Sequence, residues 1–198
     1  MNDSSIEKTI DQLVENEINE HLYITNLLKE KNYQIKLLSE IIGDALINNK
    51  KVLICGNGGS AADSIHLSSE IVGRYEKDRK GYSAISLASE SSALTAIGND
   101  FGFENVFSRQ VEAFGNSGDI LILISTSGNS KNLINACISA KSKNIQVLGL
   151  LGRDGGKLLP LVDHHITVNS QRTCRIQEAH SLIIHIICKL FDNRLKLN

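Results

Sequence analysis

His66 and Glu70 stand four residues apart in a run of good helix formers, so an imidazole and a carboxylate project from one helical face. Near the other end of the chain Gln177 and His185 are eight apart, again on broadly one side of a helix, with Glu178 and His180 in the same stretch. Two imidazoles, a carboxylate and an amide oxygen make a donor set for a divalent metal such as zinc. The same Glu and His equally form a general base and a general acid, which is most of what enolisation next to a carbonyl needs. Spacing alone leaves a third reading open, in which both groups are surface or satisfied core residues, because reactive pairs are recognised by geometry.

Two loops could hold the molecule on which such groups act. The first, Gly56-Asn57-Gly58-Gly59-Ser60, follows a short apolar run and opens a helical segment. Its glycines allow close backbone approach, and the helix start offers unpaired N–H groups to an anion. It is not a complete G-x-G-x-x-G, and the chain has no G-x-x-x-x-G-K-[ST], so dinucleotide and nucleoside triphosphate readings are weak. The second, Ser125-Thr126-Ser127-Gly128-Asn129-Ser130, brings four hydroxyls and a glycine to another helix start, a cradle for a phosphate monoester that needs no lysine. The plain alternative is an ordinary loop with Ser130 as a helix cap. The loop's place after an apolar strand favours phosphate.

The elements that must position these residues follow from hydrophobic period. Residues 4 to 48 read as helix, with a Ser4/Glu7 capping pattern, Ile6, Ile10 and Leu13 on one stripe, and a break at the polar run Lys29 to Asn32. That amphipathic extension must bury its stripe on its own domain or on a partner subunit. After Asn49 the pattern changes to short apolar runs at Val52 to Cys55, Ser83 to Leu87, Ile120 to Ile124, Val147 to Leu151 and Ile166 to Val168. Helical segments near 61–73, 91–97, 104–114, 130–143, 156–161 and 175–192 separate and follow them. Continuous runs alternating with helices predict a parallel α/β sheet covered on both faces, with ligands outside the carboxyl ends of the strands.

The 198 residues suffice for one domain with a real core, and the balance of 21 Lys+Arg against 22 Asp+Glu shows no nucleic-acid or anionic-membrane footprint. No apolar run approaches the roughly 20 residues of a membrane span, and the opening Met1 to Glu7 has no secretory pattern. Cys55, Cys137, Cys174 and Cys188 lack CxxC spacing and read as free thiols. A cytoplasmic protein without nucleic-acid or membrane partners is expected.

Several stretches, in order from about residue 37 to 192, resemble one family. They are Gly56 to Asp63, His66 to Glu70, Gly73-Arg74-Tyr75, Ala96 to Phe103, Phe107 to Glu112, Ser125 to Ser130, Gly152 to Lys157 and Arg175 to His180. They look like the phosphoheptose isomerases of the sugar isomerase (SIS) domain family. The resemblance implies a flavodoxin-like three-layer sandwich with a five-stranded parallel sheet, spanning 50–198 as the SIS domain. Residues 1–49 would be a helical extension making oligomer contacts, the whole forming one structural unit. It also implies a homotetramer with shared active sites, converting sedoheptulose 7-phosphate to D-glycero-D-manno-heptose 7-phosphate through an enediol, at the entry to heptoses of lipopolysaccharide core and some capsules.

Carried over by motif, Glu70 would move the proton between C1 and C2 and His185 would be its acid partner. His66, Glu70, Gln177 and His185 would hold one Zn2+ per subunit. The phosphate would lie on Ser60, Ser125, Thr126, Ser127 and Ser130, and Asn57, Gly58, Arg74, Asn99, Asp100 and Gln177 would contact the sugar. His180 matches the motif and is equally readable as structural, while His21, His164 and His165 lie outside every motif and read as surface residues. Cys174 stands where part of the family has an aspartate near the sugar, and Leu151 where a threonine is common. A relative of the same fold that binds the replication initiator protein as a non-catalytic tetramer is the alternative; it lacks the carboxylate matching Glu70.

Overall fold

A computed structural model describes residues 3–195, with side chains from residue 9 onward. Its order is α1 (Asp3–Leu27), α2 (Asn32–Ile47), β1 (Val52–Gly56), α3 (Gly59–Val72), β2 (Ala84–Ser86), α4 (Ser91–Phe101), α5 (Ser108–Phe114), β3 (Ile120–Ser125), α6 (Lys131–Ser142), β4 (Gln146–Gly152), β5 (His164–Val168) and α7 (Thr173–Arg194). The Ser4, Ile6 and Glu7 side chains of the expected cap and stripe lie outside the described ones. The expected break between α1 and α2 is a single 3-10 turn, Leu28–Lys31, where the chain tightens.

All five strands are parallel, in the order β2-β1-β3-β4-β5, which is the flavodoxin-like order. Strand residues alternate between two cores because successive side chains point to opposite faces. Val52, Ile54, Ile122, Ile124, Leu148 and Leu150 pack with α2, α3 and α7. Leu53, Cys55, Leu121, Leu123, Val147 and Leu151 pack with α5 and α6. Full burial of β1 and β3 explains their unbroken apolar runs.

The two helices of the N-terminal extension have different fates. Helix α2 enters the first core through Ile35, Leu38, Ile42, Ala45 and Leu46. Helix α1 is tied to α7 by charge: Arg175 bonds Glu17, Arg172 pairs with Glu17 and Glu20, and His21 Nδ1 lies 2.8 Å from Glu178 Oε2. His21 is therefore a bridging residue and not a loose surface histidine. The apolar stripe of α1, Ile10, Val14, Ile18 and Leu22, stays more than half exposed on the single chain.

Candidate active site

Strand β1 lies beside β3, with Gly56 opposite Ile124, so the glycine loop and the serine loop emerge side by side. Asn57, Ser60, Ser125, Thr126, Ser127 and Ser130 line one small cavity of about 50 Å³. Larger cavities lie elsewhere; one of about 500 Å³ sits between α2 and α7 at Lys36, Asp44 and Arg194, away from both loops.

The cavity presents hydroxyls and a helix start, groups suited to an anion. Ser125 Oγ accepts the Gly128 N–H at 3.0 Å and Ser127 Oγ accepts the Asn129 N–H at 3.2 Å. Each hydroxyl shapes the turn as an acceptor and keeps its own proton to donate. Ser130 occupies the N-cap of α6 in extended conformation, yet its side chain makes no capping bond. Its hydroxyl is therefore available beside the positive end of the helix. The turn requires Gly128, which has φ +65° and passes so close to the Gly155 carbonyl that no Cβ fits.

Helices α3 and α7 supply the reactive groups by facing each other along matched stripes. Three contacts mark the seam. The Gln177 amide lies over Gly59, in the space a Cβ there would take. Ser181 Oγ donates to Asp63 Oδ1 at 2.8 Å. His185 Nε2 stands 3.4 Å from His66 Nε2, which is itself 3.2 Å from Glu70 Oε1. The rise of 1.5 Å per residue carries each stripe forward by about a turn per contact, so the stripes stay in step. The Tyr75 ring stacks on the His185 imidazole at 5.8 Å and 26°.

Burial raises the Asp63 carboxyl above its ordinary value, against the Ser181 hydrogen bond and the nearby His66. Its Oδ2 is buried without a partner. Asn57 and Asn132 form a reciprocal amide pair, each Nδ2 donating to the other's Oδ1 at 3.0 and 2.9 Å. That pair ties the glycine loop to the first turn of α6. Asn132, Asp63, Ser181 and Tyr75 carry no role in the sequence reading, because only Asp63 and Tyr75 fall in recognisable motifs and none has reactive spacing.

Other expected residues lie apart. Arg74 is exposed just beyond α3, and Asn99 and Asp100 are exposed on the last turn of α4, joined by a 2.7 Å hydrogen bond. Among the described residues no hydrogen bond links these three to His66, Glu70, Gln177 or His185. His180 is structural: fully buried, its Nε2–H donates to the Leu151 carbonyl at 3.1 Å, and burial lowers it to about 4, so it stays neutral. The Leu151 side chain is packed in the second core. Cys174 is exposed on the first turn of α7, which begins two residues before the expected 175; the N-cap Arg172 offers no capping side chain to mark the start. The other three cysteines are buried and free, with Cys137 and Cys188 pushed up by burial to about 11 and about 12, which makes them poor nucleophiles.

Among the described residues no group of three His, Cys, Asp or Glu is placed to hold a metal ion. Only the two spacings at His66 Nε2 match what a zinc site needs. Ligands about 2.0 to 2.1 Å from a tetrahedral zinc stand roughly 3.3 Å from each other, and the two distances at His66 Nε2 are 3.2 and 3.4 Å.

Comparison with known proteins follows the same lines. A family model described as the SIS domain matches residues 18–152. The chain is 51% identical over 180 residues to phosphoheptose isomerase 1 of Campylobacter jejuni subsp. jejuni serotype O:2, covering 91% of this chain and 97% of that one. It is 51% identical over 184 residues to the phosphoheptose isomerase of Helicobacter pylori, covering 92% and 96%. The solved phosphoheptose isomerase of Neisseria gonorrhoeae superposes with a TM-score of 0.88 at 40% identity, over 93% of this chain and 99% of that one.

Proposed function

We infer the activity from the family: the chain belongs to the phosphoheptose isomerases of the SIS-domain family, and it is an aldose–ketose isomerase. Its substrate is sedoheptulose 7-phosphate and its product D-glycero-D-manno-heptose 7-phosphate. The observation that carries the mechanism is the meeting of Glu70, His66 and His185 on two helices beside a hydroxyl-lined anion cavity.

In the mechanism we propose, the 7-phosphate is held by Ser60, Ser125, Thr126, Ser127, Ser130 and the start of α6. That anchoring places the other end of the sugar along the α3–α7 seam, where Asn57, Gly58 and Gln177 position it. Glu70 takes a proton from C1 of the open-chain ketose, the C1–H electron pair forms the C1=C2 bond, the C2=O π pair moves to O2, which takes a proton from His185, and a cis-enediol results. Return of the proton to C2 gives the aldose. His185 moves the proton between O2 and O1, which an imidazole can do at either nitrogen. His66, Glu70, Gln177 and His185 would hold one zinc ion per subunit, and bound there it would supply Lewis acidity to the carbonyl and enediol oxygens. A metal-bound Glu70 is a weaker base than a free one, so zinc and base compete for the same oxygen atoms.

The homotetramer is proposed on two features. The α1 stripe is apolar and exposed, and Arg74, Asn99 and Asp100 stand at the surface, where a neighbouring subunit's site could use them. We propose that the enzyme works in the cytoplasm, supplying heptose for lipopolysaccharide core or capsule; no helix among the described residues is long and apolar enough to cross a membrane. Glu70 and its partners favour catalysis over the initiator-binding alternative. The decisive experiment is incubation of purified protein with sedoheptulose 7-phosphate, following the aldose by NMR. Appearance of the heptose aldose supports the reading, and no turnover with or without added zinc would overturn it.

A further inference from the structure

We propose that Tyr75 is a positioning residue for the acid–base pair, held on His185 by a buried Arg79–Asp192 clamp; the proposal rests on the isomerase reading above. Arg79 Nε bonds Asp192 Oδ1 at 2.8 Å, and the two side chains are 8% and 0% exposed. The guanidinium also donates to the carbonyls of Glu70 at 2.8 Å and Ile71 at 3.0 Å. It thus ties down the C-terminal turn of α3 at the residue proposed as the base, giving the Glu70 carbonyl a partner and joining the Tyr82 N–H on the Ile71 carbonyl. The second oxygen of Asp192 accepts the N–H groups of Glu76 at 3.1 Å and Lys77 at 3.2 Å.

Tyr75 lies between these two anchored segments. One end of its loop is fixed through Glu70 and Ile71, the other through Glu76 and Lys77, and both ties converge on one ion pair. Its ring then covers one face of His185, while His66 meets the same imidazole edge-on at 4.9 Å and 75°. Stacking fixes the plane of the imidazole from one face, while the His66 contact holds it at Nε2. The contribution proposed for Tyr75 is its ring.

The test compares Tyr75→Ala, Tyr75→Phe and Arg79→Lys in the full-length protein. Tyr75→Ala is expected to lower kcat for sedoheptulose 7-phosphate by about ten- to hundred-fold while KM stays within about twofold, the signature of lost alignment. Tyr75→Phe, which keeps the ring, restores most of that loss. Arg79→Lys keeps the charge but loses the fork, and shows the same kcat-selective loss. In parallel, the His185 imidazole signals, assigned with His185→Gln, are followed by NMR. They shift in Tyr75→Ala and Arg79→Lys and hold in Tyr75→Phe, because the ring current goes with the ring. Unmoved His185 signals in Tyr75→Ala, a Tyr75→Phe loss equal to that of Tyr75→Ala, or a loss carried mainly by KM each overturns the proposal. The NMR arm needs no turnover, so a wild-type protein inactive on this sugar would defeat the isomerase reading without deciding the clamp.

Discussion

His66 Nε2 and His185 Nε2 stand 3.4 Å apart although 119 residues separate them along the chain. The contact closes a seam whose other members are Gly59 with Gln177 and Asp63 with Ser181. Helix α3 brings one stripe of the site and α7 the other, and the buried interface between them makes their register definite.

In the proposed mechanism Glu70 carries the proton transfer, so Glu70→Gln is expected to reduce kcat by about 10²- to 10⁴-fold, the usual worth of a general base. KM should change by no more than about twofold, since the isostere keeps the shape of the site. NMR progress curves with sedoheptulose 7-phosphate check it, and an unimpaired variant would remove Glu70 from the mechanism.

Ser130 separates cap from ligand. A serine cap changed to alanine ordinarily costs about 1 kcal/mol, but the Ser130 hydroxyl makes no capping bond. Ser130→Ala is therefore expected to melt within about 0.5 kcal/mol of the parent. Loss of the proposed hydrogen bond to a phosphate oxygen is expected to raise KM by about tenfold. Denaturant melts and steady-state kinetics on one preparation decide between the roles.

Metal content tests the donor set without reference to activity. The protein as purified should carry about one zinc per chain, and His66→Ala should retain less than about a tenth of that, because losing one of four ligands sharply weakens a structured site. Elemental analysis after gel filtration reads both. Equal zinc in parent and variant would argue that His66 is no ligand.

Ile18 is 55% exposed in the middle of the α1 stripe. Ile18→Glu leaves the fold of the single chain intact by far-UV circular dichroism and lowers the mass seen by light scattering below that of a tetramer. A charge on a buried apolar interface costs far more than one on an open surface. An unchanged mass would show that the stripe is not an assembly surface.

Asp192 gives a pH dependence of known sign. Burial alone would raise its carboxyl, but Arg79 and the N–H groups of Glu76 and Lys77 outweigh burial and hold it below the ordinary 3.8. A carboxyl lowered on folding stabilises the native state above its unfolded value, and that stability is lost as pH falls from near 4 through the folded value. Asp192→Asn should flatten the acid limb of stability over that window and cost about 3 kcal/mol near neutrality, as for a broken buried pair. Urea midpoints at pH 7, 5 and 3 test both.

Much of this architecture is local and therefore legible. The unbroken apolar runs of β1 and β3 reflect strands buried on both faces, and the observed strands lie within one or two residues of the runs. The glycine and serine loops are legible for the same reason: a strand end, a turn and a helix start are all set by a few consecutive residues. The Ser130 N-cap was readable, whereas its lack of a capping bond was not, because a side-chain rotamer depends on surroundings. Helix α7 starts at Thr173, two residues before the expected position, where Arg172 supplies no capping side chain to mark it.

By itself the sequence determined the alternation of strands and helices, the two ligand loops, and which face of each helix bears His66 with Glu70 and Gln177 with His185. Those properties depend on backbone geometry over a few residues, which hydrophobic period and turn chemistry specify. Only the tertiary structure decided that the two stripes face each other, that Asn57 locks to Asn132, and that Arg79 and Asp192 hold Tyr75 on His185. Such contacts join residues tens to more than a hundred positions apart. Their partners are chosen by strand order and by how the two cores fill, and no local pattern carries that information.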